Sequence, residues 1–156
     1  MKLERRTLLQ LPLLAKKPKI TSAPAKQDTL RTLCEFIVPG ATEAGVPEFI
    51  ELLSGENAEY KRQISGGLLW LDARCRDRYG KPFLGCSQTE QKELLDLIAF
   101  RENAQKDPTL SQATAFFAFL RDLTLDGYFT SRQGIAYLDF RGNSALSEFP
   151  GCPPIL

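Results

Sequence analysis

At 156 residues, with 43% hydrophobic and 25% charged side chains, the chain has the length and composition of one soluble globular domain. Four cysteines without C-x-x-C spacing and no histidine argue against the usual zinc, haem and iron–sulfur patterns and remove the commonest catalytic base. The net charge of +1 is uneven: residues 1–26 hold seven cations against Glu4, whereas the remainder holds thirteen Lys or Arg against eighteen Asp or Glu. So mildly acidic a body offers no basic face for phosphate backbones, which argues against a nucleic-acid partner.

The start is read as a separate unit, residues 1–26. Arg5-Arg6 precede a short apolar run, Leu8 to Ala15, and Ala23-Pro24-Ala25 has the small-x-small pattern at which signal peptidase cuts. This resembles an atypical twin-arginine export signal: Glu4 stands where Ser or Thr is usual, and Gln10 and Pro12 interrupt the apolar run. A disordered basic arm that stays attached is the alternative. No apolar run reaches the roughly 18 residues that span a bilayer.

The helical domain is expected over residues 27–156. A first helix is predicted from Asp28 or Thr29 as cap, with Leu30, Leu33, Cys34 and Ile37 on one face, stopped by Val38-Pro39-Gly40. Val46-Pro47 starts a second, whose apolar side carries Phe49, Ile50, Leu52 and Leu53 and which Ser54-Gly55 ends. A third runs from Asn57 to Tyr79. Its Gly66-Gly67 pair costs roughly 1 kcal/mol per glycine relative to alanine, which points to close approach by another helix or to a kink. Asp72 and Arg76 are spaced to pair on a charged, solvated face.

Gly80 closes that helix, and residues 81–86 read as a loop. Ser87-Gln88-Thr89-Glu90 has capping-box spacing, and the helix it opens is expected to bury Leu94, Leu95, Ile98 and Phe100. Asn103 to Thr109 reads as a polar connection. A last long helix begins at Ser111, packs Phe116, Phe117, Phe119, Leu120 and Leu123, and is expected to break at Asp126-Gly127. No stretch alternates as a strand does. The fold class is all-α: about five helices and a long irregular aromatic C-terminal tail.

That tail, rich in Tyr128, Phe129, Tyr137, Phe140 and Phe149, is too aromatic for a solvated linker, so it is expected to dock on its own core or on another chain. Cys34 and Cys75 sit at helical core spacings as buried thiols, whereas Cys86 and Cys152 lie in loops and are candidates for a disulfide in an oxidising compartment. Asp122 and Asp126 form a carboxylate pair one helical turn apart, but Asp126 before Gly127 is more simply a helix-end residue. No phosphate-binding glycine motif occurs, and Trp70 is expected as a core residue or interface anchor.

The ordered blocks LTLDGY-x-TS at Leu123 to Ser131, GI-x-YL from Gly134, the pair Gly142-Asn143 and the run Phe149 to Pro153 resemble the gluconate 2-dehydrogenase subunit 3 family. The resemblance extends back to about residue 30 through Ile37 to Ala41, Ala44 to Ile50, Gly67 to Ala73 and Gly80 to Phe83. It implies a non-catalytic small subunit with no catalytic residues or cofactor of its own. Its expected partner is a flavin-dependent catalytic subunit of the glucose-methanol-choline class, which carries FAD, often alongside a cytochrome c subunit. It also implies that the small subunit stabilises the flavoprotein and exports it through Arg5 and Arg6 to the periplasm. The residues expected to grip the partner are Trp70, Asp126, Tyr128, Phe129, Ser131, Tyr137, Phe140, Phe149, Pro150 and Cys152. A stand-alone helical protein whose tail completes its own core is the alternative.

Overall fold

The computed structural model describes residues 24–140. Among them lie seven helices and no strand: α1 Pro24–Ile37, α2 Val46–Glu56, α3 Ala58–Tyr79, α4 Gln88–Ala99, α5 Arg101–Lys106, α6 Ser111–Phe129 and α7 Arg132–Tyr137. The all-α expectation holds, with α5 and α7 as six-residue additions to the five longer helices. The expected basic arm lies outside the described residues, apart from its last three positions, which fall in α1.

Helix α6 is the centre: it touches every one of the other six helices. Its inward stripe is Ala113, Phe116, Leu120, Leu123, Thr124 and Gly127, all buried. Burying one Leu or Phe side chain is worth about 1.5–3 kcal/mol, so this stripe and the residues facing it supply much of the driving force. Leu33 and Cys34 of α1, Ile50 of α2, Leu71 and Cys75 of α3 and Leu94 and Ile98 of α4 complete the same core, each wholly inaccessible. Thr124, also wholly buried, meets its hydrogen-bonding need locally, donating from Oγ1 to the Leu120 carbonyl at 2.8 Å.

The glycine pair of α3 is explained by half of it. A Cβ on Gly67 would lie 2.1 Å from the Phe116 ring, so α3 and α6 cross where only hydrogen fits; Gly66 faces open space. Gly127 corrects the expectation of a break. Helix α6 runs through it to Phe129, because α2 packs there and a Cβ would meet Phe49 Cδ1 at 2.8 Å. Tertiary packing outweighs the weak helix propensity of glycine.

Several helix ends follow the sequence closely. Asn57 accepts from the amides of Glu59 and Tyr60 at the start of α3, and Gly80 closes it in the left-handed region at φ 71°. Ser87 and Glu90 form the expected capping box of α4, and Lys81 joins Glu90 at 2.9 Å. The Glu35 carboxylate gathers the amides of Gly40 and Thr42 at 2.7 and 3.2 Å, which holds the α1–α2 turn. Those hydrogen bonds, Gly40 first, keep its pKa below the usual carboxylate value.

Four expectations need correction. Helix α1 begins at Pro24, one turn ahead of Asp28. The 81–86 loop contains a single 3-10 turn, Phe83–Gly85, that plants Phe83 in the core with no exposure. Asp72 holds it there: besides its 3.9 Å approach to Arg76, it accepts the Phe83 amide at 3.0 Å, while Gln91 donates to the Phe83 carbonyl at 2.8 Å. Phe100 is 58% exposed instead of buried, at the joint between α4 and α5. The polar connection is largely helical, because Asn103 donates to the Leu97 carbonyl at the end of α4, and Asp107 accepts from the Thr109 amide to start a second 3-10 turn, Pro108–Leu110.

Candidate partner-binding surface

The residues that follow α6, expected as irregular tail, fold into a compact helical cap up to Phe140. Thr130 ends α6 by donating its amide and hydroxyl to the Asp126 carbonyl, at 3.1 and 2.6 Å. Ser131 then serves both helices. Its hydroxyl donates to the Tyr128 carbonyl at 2.6 Å and accepts the Gly134 amide at 3.1 Å, which makes it the N-cap of α7.

Gly134 lets α7 lie against the end of α6. A Cβ there would stand 2.0 Å from the Tyr128 carbonyl oxygen and 2.7 Å from Phe129 Cα, both backbone atoms that cannot swing away. At the far end, Asp139 adopts φ 48° and donates its amide to the Ala136 carbonyl, and Phe140 donates to the Ile135 carbonyl at 3.2 Å. This pair of bonds is the Schellman pattern, which accounts for a non-glycine residue in the left-handed region.

The surface displayed by this cap is apolar. Phe129, Ile135, Tyr137, Leu138 and Phe140 are 37, 39, 76, 56 and 57% exposed, five of the nine large hydrophobic residues exposed among those described. Tyr128 anchors them: it packs on the core and meets Phe129 edge to face at 5.4 Å, and Phe129 in turn lies 6.5 Å from Tyr137. An exposed apolar group of this kind is a candidate interaction surface.

The structure therefore brings Tyr128, Phe129, Ser131, Tyr137 and Phe140 together, with Asp126 exposed one turn back on α6. Ser131 acts as a hinge pin of the cap; its hydroxyl is engaged with backbone. Trp70 does not join them. It packs partly buried on the core and lines a groove of about 410 Å³ with Gly67, Gln112 and Phe116, near the opposite end of α6. At 1.5 Å per residue, Phe116 and Phe129 are roughly 20 Å apart along that helix. Phe149, Pro150, Cys152, Arg5 and Arg6 lie outside the described residues.

Ile135 and Leu138 belong to the surface, although sequence reasoning does not single them out as site residues. Their signal is present in GI-x-YL, but placing them on the outer face requires knowing that α7 rests on α6 through Gly134. Asp122 and Asp126 are exposed, and Asp122 pairs with Arg121 at 3.2 Å. Among the described residues no three His, Cys, Asp or Glu side chains group as a metal site, and no helix is long and apolar enough to cross a membrane.

Neither the curated proteins nor the solved structures contain a match to the chain. The family model described as Gluconate 2-dehydrogenase subunit 3 does match, over residues 24–151, a span that holds every described helix and the aromatic cap. The chain belongs to the gluconate 2-dehydrogenase subunit 3 family.

Proposed function

We propose that this chain is the non-catalytic small subunit of a flavin-dependent dehydrogenase complex, and that it binds and stabilises a catalytic subunit of the glucose-methanol-choline class. The observation that carries the reading is the exposed apolar cap of α7, pinned by Ser131 and Gly134 and formed from residues inside the family match. Interfaces concentrate their binding energy in aromatic anchors set in a rigid frame, which suits Tyr137 and Phe140 packed beside Phe129 and Tyr128. FAD and the sugar or polyol site belong to the partner in this reading, and where the complex includes a cytochrome c subunit, that subunit takes the electrons. Arg5-Arg6 supply a twin-arginine signal that carries the folded, cofactor-loaded pair to the periplasm.

The test is co-expression with the flavin-dependent oxidoreductase that this reading expects to be encoded beside it. Size exclusion with absorbance monitored near the flavin band should give a yellow complex containing this chain, and the flavoprotein alone should be insoluble or inactive. A colourless monomer beside a soluble, active flavoprotein would sink the reading.

A further inference from the structure

We propose that the groove between α1, α2 and α3 receives a segment of the same chain, the leucine-rich run at residues 8–15, which lies outside the described residues. The proposal concerns the uncleaved chain alone and does not depend on the dehydrogenase reading.

The groove has a volume of about 420 Å³ and an apolar floor, Leu30 of α1 with Ile64 and Leu68 of α3. The core takes Val46, Pro47 and Ile50 of α2, which leaves Leu52 at the lip of the groove, 62% exposed. A single exposed leucine is ordinary in a folded protein, but this one borders a concave apolar floor.

Position, length and chemistry choose the occupant. The groove begins where the arm ends: Lys26 and Gln27 line it, and they stand in the first turn of α1, which Pro24 opens. Residues 16–23 reach about 26 Å when extended, whereas the eleven-residue α2 is about 16 Å long, so the run can lie anywhere along the groove. Residues 8–15 read LLQLPLLA, five leucines without a charge, which suit an apolar floor.

Charge points the same way. Helix α2 carries Glu48, Glu51 and Glu56 and no cation, whereas residues 1–23 hold six cations against Glu4, with Lys16, Lys17 and Lys19 directly after the run. Glu48 and Glu51 line the groove. Glu48 meets Arg31, and Glu51 accepts from Gln27 Nε2 at 3.0 Å, yet the Glu48 side chain is still 51% exposed and can accept a second cation. Lys26 and Lys61 border the groove as well, which directs the arm's lysines toward the α2 wall. Tethering a segment so close raises its effective concentration to about the millimolar range, so contacts too weak to hold a free peptide suffice in the same chain. Arg5-Arg6 precede the run and stay outside the groove.

The experiment uses the full chain with a photoreactive benzophenone amino acid in place of Leu52, irradiated in dilute solution and mapped by peptide mass spectrometry. The expected product is a single chain in which position 52 is joined to residues 8–15. A product of two chains would make a second copy the occupant, and a link elsewhere in the chain, or none, would leave the arm out of the groove; each of these overturns the proposal. Trypsin gives a second readout. Cleavage after Lys16, next to the run, should be several-fold faster in Leu52→Lys than in wild type, with the melting temperature little changed because the substituted side chain is exposed. Equal cleavage rates would overturn the proposal too. Both readouts are taken without a catalytic subunit, so either result leaves the dehydrogenase reading untouched.

Discussion

Helix α6 is crossed by a close glycine contact near each end, and the two contacts have opposite results. At Gly67 the approach of α3 lets Phe116 fill the core, 4% exposed. At Gly134 the approach of α7 leaves Tyr137 and Phe140 more than half exposed. The same device, a missing Cβ, closes a core in one place and builds a rigid apolar surface in the other. What differs is what lies beyond the contact: α3 packs on further helices, whereas α7 packs chiefly on α6 among the described elements. An apolar group displayed on so short a helix is ordered by its backbone seat and not by burial of its side chains.

The largest effect should come from filling the buried crossing. Gly67→Ala places a methyl group 2.1 Å from the Phe116 ring, and overpacking of this kind costs about 1–3 kcal/mol. Thermal unfolding should show a fall in melting temperature of roughly 5 °C. Gly66→Ala, whose Cβ meets nothing, should instead gain up to about 1 kcal/mol from helix propensity. Equal effects of the two neighbours would remove the close crossing from the account.

Filling the exposed contact should divide binding from stability. Gly134→Ala forces α7 off the end of α6, so affinity for the proposed catalytic subunit should fall by about tenfold or more, the loss expected when interface anchors are displaced. Its melting temperature should move less than that of Gly67→Ala, since α7 contributes only Gly134 as a buried residue. Tyr137→Ala should lower affinity by a similar factor, with a stability change within about 0.5 kcal/mol, as for surface positions. Pull-down titration beside thermal melts checks both. If both variants bind as wild type does, the partner surface lies elsewhere.

The smallest effect concerns the α1–α2 turn, where a carboxylate and not a glycine sets the geometry. Glu35 has a folded pKa held below its ordinary value of 4.5 by the amides it accepts, so its stabilisation is complete above that value and is lost as pH falls through the lowered one. The wild-type chain should therefore be more stable than Glu35→Gln at pH 7, and the gap should narrow in acid. Urea midpoints measured from pH 7 down to pH 3 read this directly; a gap that is unchanged in acid would mean the carboxylate charge has no part in the turn.

Much of the fold is legible in the sequence. The signals that carry it are local ones that a single turn of chain can satisfy: the Ser87-Glu90 capping box, the Gly80 stop, Pro47 near the start of α2, the buried faces of α1, α3 and α6. The family blocks also point to the stretch that forms the exposed aromatic cap. Each depends on residues within a few positions of one another, where spacing alone determines which groups can meet.

Sequence by itself thus determined an all-helical chain, most of its helix boundaries, its family and the aromatic stretch that carries the candidate surface. The tertiary structure decided the rest. Gly127 continues a helix because α2 covers it, and Phe83 enters the core because Asp72 and Gln91 hold its backbone. Ile135 and Leu138 face outward because Gly134 seats α7 on α6. In every one of these cases the deciding partner lies on another element, and no local pattern of apolar and polar residues records which elements will touch.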